Sequence, residues 1–365
     1  MNEDDVLDLL RDVEDPSLDD DSEAQSASDH ASGQSQRADI VSLGLVNDLD
    51  VDGDKVTLSL ALGAPYSPTE TDIAGRVREV LADAGLEPDL TAAIPDRNGG
   101  DVLPGVKNVI AVASGKGGVG KSTVAVNLAA GLSDRGARVG LFDADIYGPN
   151  VPRMVDADDH PRATESDTIV PPERHGMKLM SMAFMVGDDD PVIWRGPMVH
   201  KVLTQLVEDV EWGNLDYLVV DLPPGTGDTQ LTMLQTVPLT GAVVVTTPQD
   251  VAVDDARKGL RMFGRHDTTV LGIAENMSGF VCPDCGGTHD IFGSGGGHDF
   301  ADENELPFLG SIPLDPSVRQ GGDTGEPVVL DDDNQTGEAF REFVAETADM
   351  VGLVHRRNAS RPAKH

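Results

Sequence analysis

The chain has 365 residues, 39% of them hydrophobic, and a formal net charge of -37. That length admits one large domain and a smaller one, and no run approaches the roughly 18 apolar residues of a membrane span. So acidic a chain lacks the basic footprint of a general nucleic-acid binder.

The acidic residues are spread along the chain rather than gathered in a tail, and arginines outnumber lysines 19 to 8. Dispersed carboxylates with few lysines suit a protein kept soluble in a salty interior, where screening over roughly 3 Å at 1 M blunts self-repulsion. The start, Met1-Asn2-Glu3-Asp4-Asp5, has neither the cationic nor the apolar region of a signal peptide. The expectation is a cytoplasmic protein with no nucleic-acid or membrane partner. Two cysteines, Cys282 and Cys285, make no disulfide framework.

In chain order, residues 4–14 predict a short acidic helix. Residues 17–38, rich in Ser, Asp, Gln and Ala, read as a disordered insertion. Val46–Leu49 and Val56–Leu62 alternate as strands around the turn Val51-Asp52-Gly53-Asp54, and 68–85 has a helical pattern. Residues 1–93 thus form a small α+β domain, joined by a linker over 94–102 to a larger domain over 103–355, with 356–365 as a disordered tail.

In the larger domain the predicted strands are Val109–Ala113, Val139–Asp143, Leu179–Met182, Tyr217–Asp221, Ala242–Thr246, Val270–Glu275 and Phe308–Ile312. Helices are expected near 121–135, 196–210, 228–236, 253–265, 315–321 and 336–352. Continuously apolar strands alternating with helices predict an α/β fold, a doubly wound, mostly parallel sheet covered on both faces.

Gly115-Lys116-Gly117-Gly118-Val119-Gly120-Lys121-Ser122 fits G-x-x-x-x-G-K-[ST], and Thr123 follows. The segment joins a predicted strand to a predicted helix, the setting of a phosphate loop. Its glycines let successive N–H groups face phosphate oxygens, and the helix N-terminus adds positive potential. Lys121 would reach the β- and γ-phosphates of ATP, and Ser122 would ligate Mg2+. Lys116 is a second lysine that the cradle itself does not need. Asp145 ends Asp143-Ala144-Asp145 at the carboxyl edge, placed to orient or deprotonate an attacking water. Asp221 closes Tyr217–Asp221 as a Mg2+ carboxylate. The loop from Leu222 to Asp228 is placed to sense the γ-phosphate.

Cys282-Pro283-Asp284-Cys285 falls in a predicted loop after Val270–Glu275. Alone, C-x-x-C reads as a redox dithiol, half a zinc site or half an iron–sulfur site. One chain brings two thiolates where a cluster or tetrahedral metal takes four ligands; a symmetric dimer brings four. His289 and His298 are nearby alternatives for a zinc site within one chain.

The segments Ser114–Thr123, Asp143–Asn150, Asp221–Asp228, Glu275-Asn276-Met277-Ser278 and the cysteine pair resemble the Mrp-type iron–sulfur cluster carrier ATPases. These belong to the P-loop class that includes MinD/ParA ATPases and nitrogenase iron protein. The resemblance runs through about residues 103–353. It implies slow ATP hydrolysis, a homodimer in which Lys116 reaches the partner's nucleotide, a bridging [4Fe–4S] cluster on Cys282 and Cys285, and transfer to apoproteins, with a cluster-assembly scaffold as a further partner. It also implies that Asn276 recognises adenine and that Ile312-Pro313-Leu314-Asp315 lines the base pocket. Rivals are a MinD/ParA-like positioning ATPase and an ATP-gated redox protein. Residues 1–93 resemble the small cluster-assembly domain often fused in front, except that Ser67 stands where a cysteine is often found.

Overall fold

A computed structural model describes residues 1–18, 38–93, 102–166, 168–185, 196–282 and 287–359. The chain divides into two compact units, Met1–Asn98 with Ala348–His365, and Gly99–Thr347. Most of the expected insertion (19–37), most of the expected linker (94–101), Cys285 and the last six residues lie outside the described set.

The smaller unit opens with α1 (Glu3–Leu10), whose N-cap Asn2 makes a reciprocal capping box with Asp5. Strands β1 (Val46–Asp52) and β2 (Lys55–Leu60) pair antiparallel, as their alternation predicts. Helix α2 (Pro68–Asp83) follows, and β3 (Glu87–Ala92) returns parallel to β2. The sequence reading missed β3. Pro88, Asp89 and an exposed edge hide its pattern, and pairing to β2 supplies what propensity does not. Ile73, Val77 and Leu81 lie one turn apart on α2 and are fully buried against Val56, Leu58 and Leu60. Each contributes about 1.5–3 kcal/mol. Ser67 is the buried N-cap of α2, its Oγ accepting from Glu70 N at 3.1 Å.

The larger unit holds a nine-stranded sheet built from β4 (Val106–Ser114), β5 (Val139–Asp143), β8 (Glu173–Arg174), β9 (Met177–Ser181), β10 (Leu215–Asp221), β11 (Gly241–Thr246), β12 (Val270–Val281), β13 (Thr288–His289) and β14 (Phe308–Leu314). The short β6 (Arg162–Ala163) and β7 (Ile169–Val170) pair separately. The order is β13-β12-β11-β4-β10-β5-β9-β8, with β14 also on β12. All pairings are parallel except β8 on β9 and β13 on β12. Between strands run α3 (Lys121–Asp134), α4 (Val151–Met154), α5 (Gly196–Glu208), α6 (Asp228–Thr236), α7 (Asp250–Arg265), α8 (Gly296–Glu303) and α9 (Pro316–Thr324), and α10 (Gln335–Ala359) closes the described chain. This is the α/β, mostly parallel sheet that the apolar strands predict.

Several element boundaries differ from the sequence reading, and two extensions are the longest. Strand β12 does not stop at Glu275 but continues to Val281, through a register irregularity against β14 between Asn276 and Phe280. Met277 (φ 58°) and Gly279 (φ 70°) take left-handed conformations there, which is why the polar run Asn276–Gly279 does not read as strand. Helix α10 extends to Ala359, past the expected start of the tail at 356. Arg356 is fully buried there by carboxylate partners that are distant in sequence.

Candidate functional site

Polar side chains gather at the carboxyl edge of the sheet, where open α/β folds bind ligands. In register, Asp221 lies beside Asp143, and Asp143 beside Ser181. Strand β4 ends at Ser114, and the loop 115–120 then turns into α3. Gly118 (φ 83°) and Gly120 (φ 80°) take left-handed conformations that only glycine adopts without strain. A Cβ at Gly120 would also lie 2.1 Å from Asn276 Nδ2. Asn276 donates from Nδ2 to Val119 O at 2.8 Å and accepts at Oδ1 from Met277 N at 2.9 Å. On the other side, a Cβ at Gly115 would meet the Asp255 backbone of α7 at 2.0 Å.

A cavity of about 390 Å³ opens over this loop, with Lys116, Gly117, Gly118, Gly120, Lys121, Ser122, Thr123 and Asp145 in its wall, together with Tyr147, Asn150 and Pro224. The residues that the sequence picks for phosphate chemistry are therefore brought together. Gly115, Val119 and Asn276 support the loop from behind.

Lys121 is buried and ion-paired to Asp221, with its Nζ 3.4 Å from Ser122 Oγ. The second oxygen of Asp221, Oδ2, is buried with no hydrogen-bond partner among the described residues. An orphaned carboxylate oxygen beside a serine hydroxyl is the hard donor set that fits hydrated Mg2+. Burial pushes the Asp221 carboxyl up, against the pull of Lys121. Burial and then the Asp221 charge push Asp143 up to about 7.

Sequence reasoning gave Asp143 no role. Its Oδ1 accepts from Asp145 N at 3.2 Å, and its Oδ2 from Val151 N at 3.2 Å and Ser181 Oγ at 2.9 Å. Asp145 in turn accepts from Tyr147 N at 3.0 Å. Asp143 thus ties the segment bearing Asp145 to β9 and α4. Glu275 was missed too. It is fully buried and accepts from Gly295 N at 3.0 Å, from Gly297 N and from Ser278 Oγ. Its signal in the sequence is a carboxylate inside an otherwise apolar strand, two segments ahead of a glycine cluster.

Cys282 directly follows β12, is half-buried, and donates its N–H to Gly287 O at 2.9 Å across the start of the β12–β13 hairpin. His289 lies exposed on β13. His298 stands on α8, with Nδ1 3.4 Å from Asp302 and its ring edge-on to Phe308. Among the described residues no group of three or more His, Cys, Asp or Glu side chains is arranged to hold a metal. Among them, too, no helix is long and apolar enough to cross a membrane.

Residues 105–348 match the ParA family described as the NUBPL iron-transfer P-loop NTPase, and residues 36–90 match the iron–sulfur cluster assembly protein family. The chain is 41% identical to the iron–sulfur cluster carrier protein of Synechocystis sp., over 97% of this chain and 99% of the relative. A nucleotide-binding protein from Archaeoglobus fulgidus, solved in complex with ADP, is 36% identical with a TM-score of 0.55, over 62% of this chain and 89% of that one. The cell division ATPase MinD of Pyrococcus furiosus, 23% identical with a TM-score of 0.51 over 66% of this chain and 97% of that one, shares the fold. Phosphate loop, carboxylate edge and cysteine hairpin sit together on this sheet, and the chain belongs to the NUBPL-type iron-transfer P-loop NTPase family, with an iron–sulfur cluster assembly segment ahead of it.

Proposed function

We propose that the protein is an ATP-hydrolysing carrier that takes up an iron–sulfur cluster and hands it to recipient apoproteins. One observation carries the reading. The strand that leads directly into Cys282 is the strand whose Asn276 holds the phosphate loop.

The loop N–H groups and Lys121 bind the triphosphate of ATP, Lys121 leaving Asp221 to do so. Ser122 and Asp221 would hold Mg2+, which when bound would supply positive charge to offset that of the phosphates. Asp145, fixed by Asp143, orients the attacking water and takes its proton. Water adds to the γ-phosphorus, the β–γ bridging P–O bond breaks, and ADP and phosphate leave. Asn276 recognises adenine. Lys116 makes no ion pair among the described residues, which suits a lysine that crosses to the nucleotide of a second protomer.

Cys282 and Cys285 of two protomers supply four thiolates for a [4Fe–4S] cluster as cargo. The working form is a homodimer in the cytoplasm, loaded by an assembly scaffold and without nucleic-acid or membrane partners.

Anaerobic reconstitution with iron and sulfide tests the reading. The wild type is expected to gain visible absorbance and the Mössbauer signature of a [4Fe–4S] cluster, and Cys282→Ser to lose both. Lys121→Ala is expected to abolish phosphate release from ATP. A wild type that takes up no cluster overturns the carrier reading.

A further inference from the structure

Glu275 and Asn276 are consecutive on β12, so their side chains leave opposite faces of the strand. Asn276 reaches the phosphate loop at Val119 O, and Gly120 has no room for a Cβ against its amide. Glu275 faces the other way. Its carboxylate binds the backbone N–H groups of Gly295 and Gly297, where the chain returns from the cysteine hairpin and enters α8. A Cβ at Gly297 would come within 2.9 Å of Glu275 Cβ, so this approach is close along the side chain and not only at its tip.

The hairpin is therefore referenced to the same two residues at both ends. Its outgoing end, Cys282, is carried by β12 itself. Its returning end is held by Glu275. Between Asn276 and Cys282 the strand passes Met277 and Gly279, both at positive φ, and its register against β14 breaks there. A left-handed non-glycine residue is strained and persists where its surroundings impose it. Ser278, inside this bend, donates its hydroxyl to Glu275.

We propose that Glu275–Asn276 is a coupling element that transmits the nucleotide state of the phosphate loop to the Cys282 hairpin, with Glu275 as its positioning residue. The proposal rests on the carrier reading above. A nucleotide that draws the loop toward its phosphates pulls on Asn276, the bend at 277–279 takes up the displacement, and the Glu275 clamp moves the returning end with the strand. Cys282 then changes its exposure with the strand that leads into it. Coupling between two sites requires an element that both of them bias.

The test measures the alkylation rate of Cys282 by iodoacetamide, read by peptide mass spectrometry on the full-length apoprotein, with and without Mg-ATP. In the wild type, Mg-ATP is expected to change the rate by about fivefold, the low end of ordinary intersite coupling. In Glu275→Gln the rate is expected to be the same with and without Mg-ATP, while fluorescent-nucleotide affinity stays within about twofold of wild type. Ser278→Ala keeps the carboxylate, removes one of its partners on a half-exposed residue, and is expected to reduce the response. Should Glu275→Gln fail to fold, Ser278→Ala decides. A wild-type response in whichever variants fold, or no response in the wild type, overturns the coupling. Neither result touches cluster uptake, which reconstitution measures separately, and a failed reconstitution leaves the alkylation ratio measurable.

Discussion

Arg356 Nε lies 2.6 Å from Asp15 Oδ2, and both side chains are buried. The same guanidinium reaches Glu70 Oε1 at 3.1 Å and Ser17 Oγ at 3.0 Å. Glu70 also accepts from Gly63 N at 3.0 Å and Ala64 N at 2.8 Å. Burial pushes the Glu70 carboxyl up, although these N–H groups and Arg356 pull against it. Removing one member of a buried charge cluster leaves the others uncompensated, a loss of about 3–5 kcal/mol. Arg356→Ala is therefore expected to destabilise the smaller unit by that amount. Hydrogen exchange of the Val56–Leu60 amides would report it, and unchanged protection there would refute it.

The edge of the sheet at Asp216 sets an acid limit. Burial would raise this carboxyl, but hydrogen bonds from Arg138 and Lys107 overcome it and hold it at about 2 against an ordinary 3.8. The folded chain then binds fewer protons than the unfolded one between those values. The stabilisation is present above pH ~4 and lost as pH falls toward 2. Arg138 and Lys107 are half-exposed, so screening reduces the contribution to about 1–2 kcal/mol. Urea unfolding at pH 5 and pH 3 is expected to show about half of that loss in the wild type, the rest falling toward pH 2, and a smaller loss in Asp216→Asn.

The phosphate-loop glycines differ in what they tolerate. A methyl group added at Gly117 would have nothing within 4 Å, whereas one added at Gly120, where φ is 80°, would lie 2.1 Å from Asn276 Nδ2. Gly117→Ala is expected to change stability by less than about 0.5 kcal/mol and Gly120→Ala to cost about 2 kcal/mol or more. Thermal melts of the two variants without nucleotide separate these effects; equal melting temperatures would contradict the assigned loop conformation.

Ser67 supplies a cap, and a thiol placed there would be sealed in. Ser67→Cys is expected to cost about 1 kcal/mol through a weaker N-cap. The new thiol is also expected to stay unalkylated in the native protein, because the position is fully buried while Cys282 is half-buried. Rapid labelling at position 67 in that variant would show that this loop opens.

The parts legible in the sequence are those fixed by local chemistry. The apolar runs from Val109 and Tyr217, the glycines before Lys121 and the strand-end Asp221 each carry their own signal, and the fold places them together. What stayed hidden depends on partners far along the chain. Leu90 shows as strand only beside Leu58, and Phe280 only beside His289. Arg356-Arg357-Asn358 reads as a polar tail until Asp15 and Glu70 are beside it. Asp143 and Glu275 look like ordinary strand residues because most of their partners are backbone N–H groups, which leave no mark in a sequence.

The helix that ends at Ala359 gives the smaller unit its last layer, since Ala348–His365 belong to the unit that begins at Met1. On the ribosome, that fixes an order of events. The larger unit has all its strands before residue 348 is made and can close first. The segment that holds Asp15 and Glu70 must wait, short of its cation, until Arg356 is made. Its completion follows that of the larger unit, although its first residues precede it in the chain.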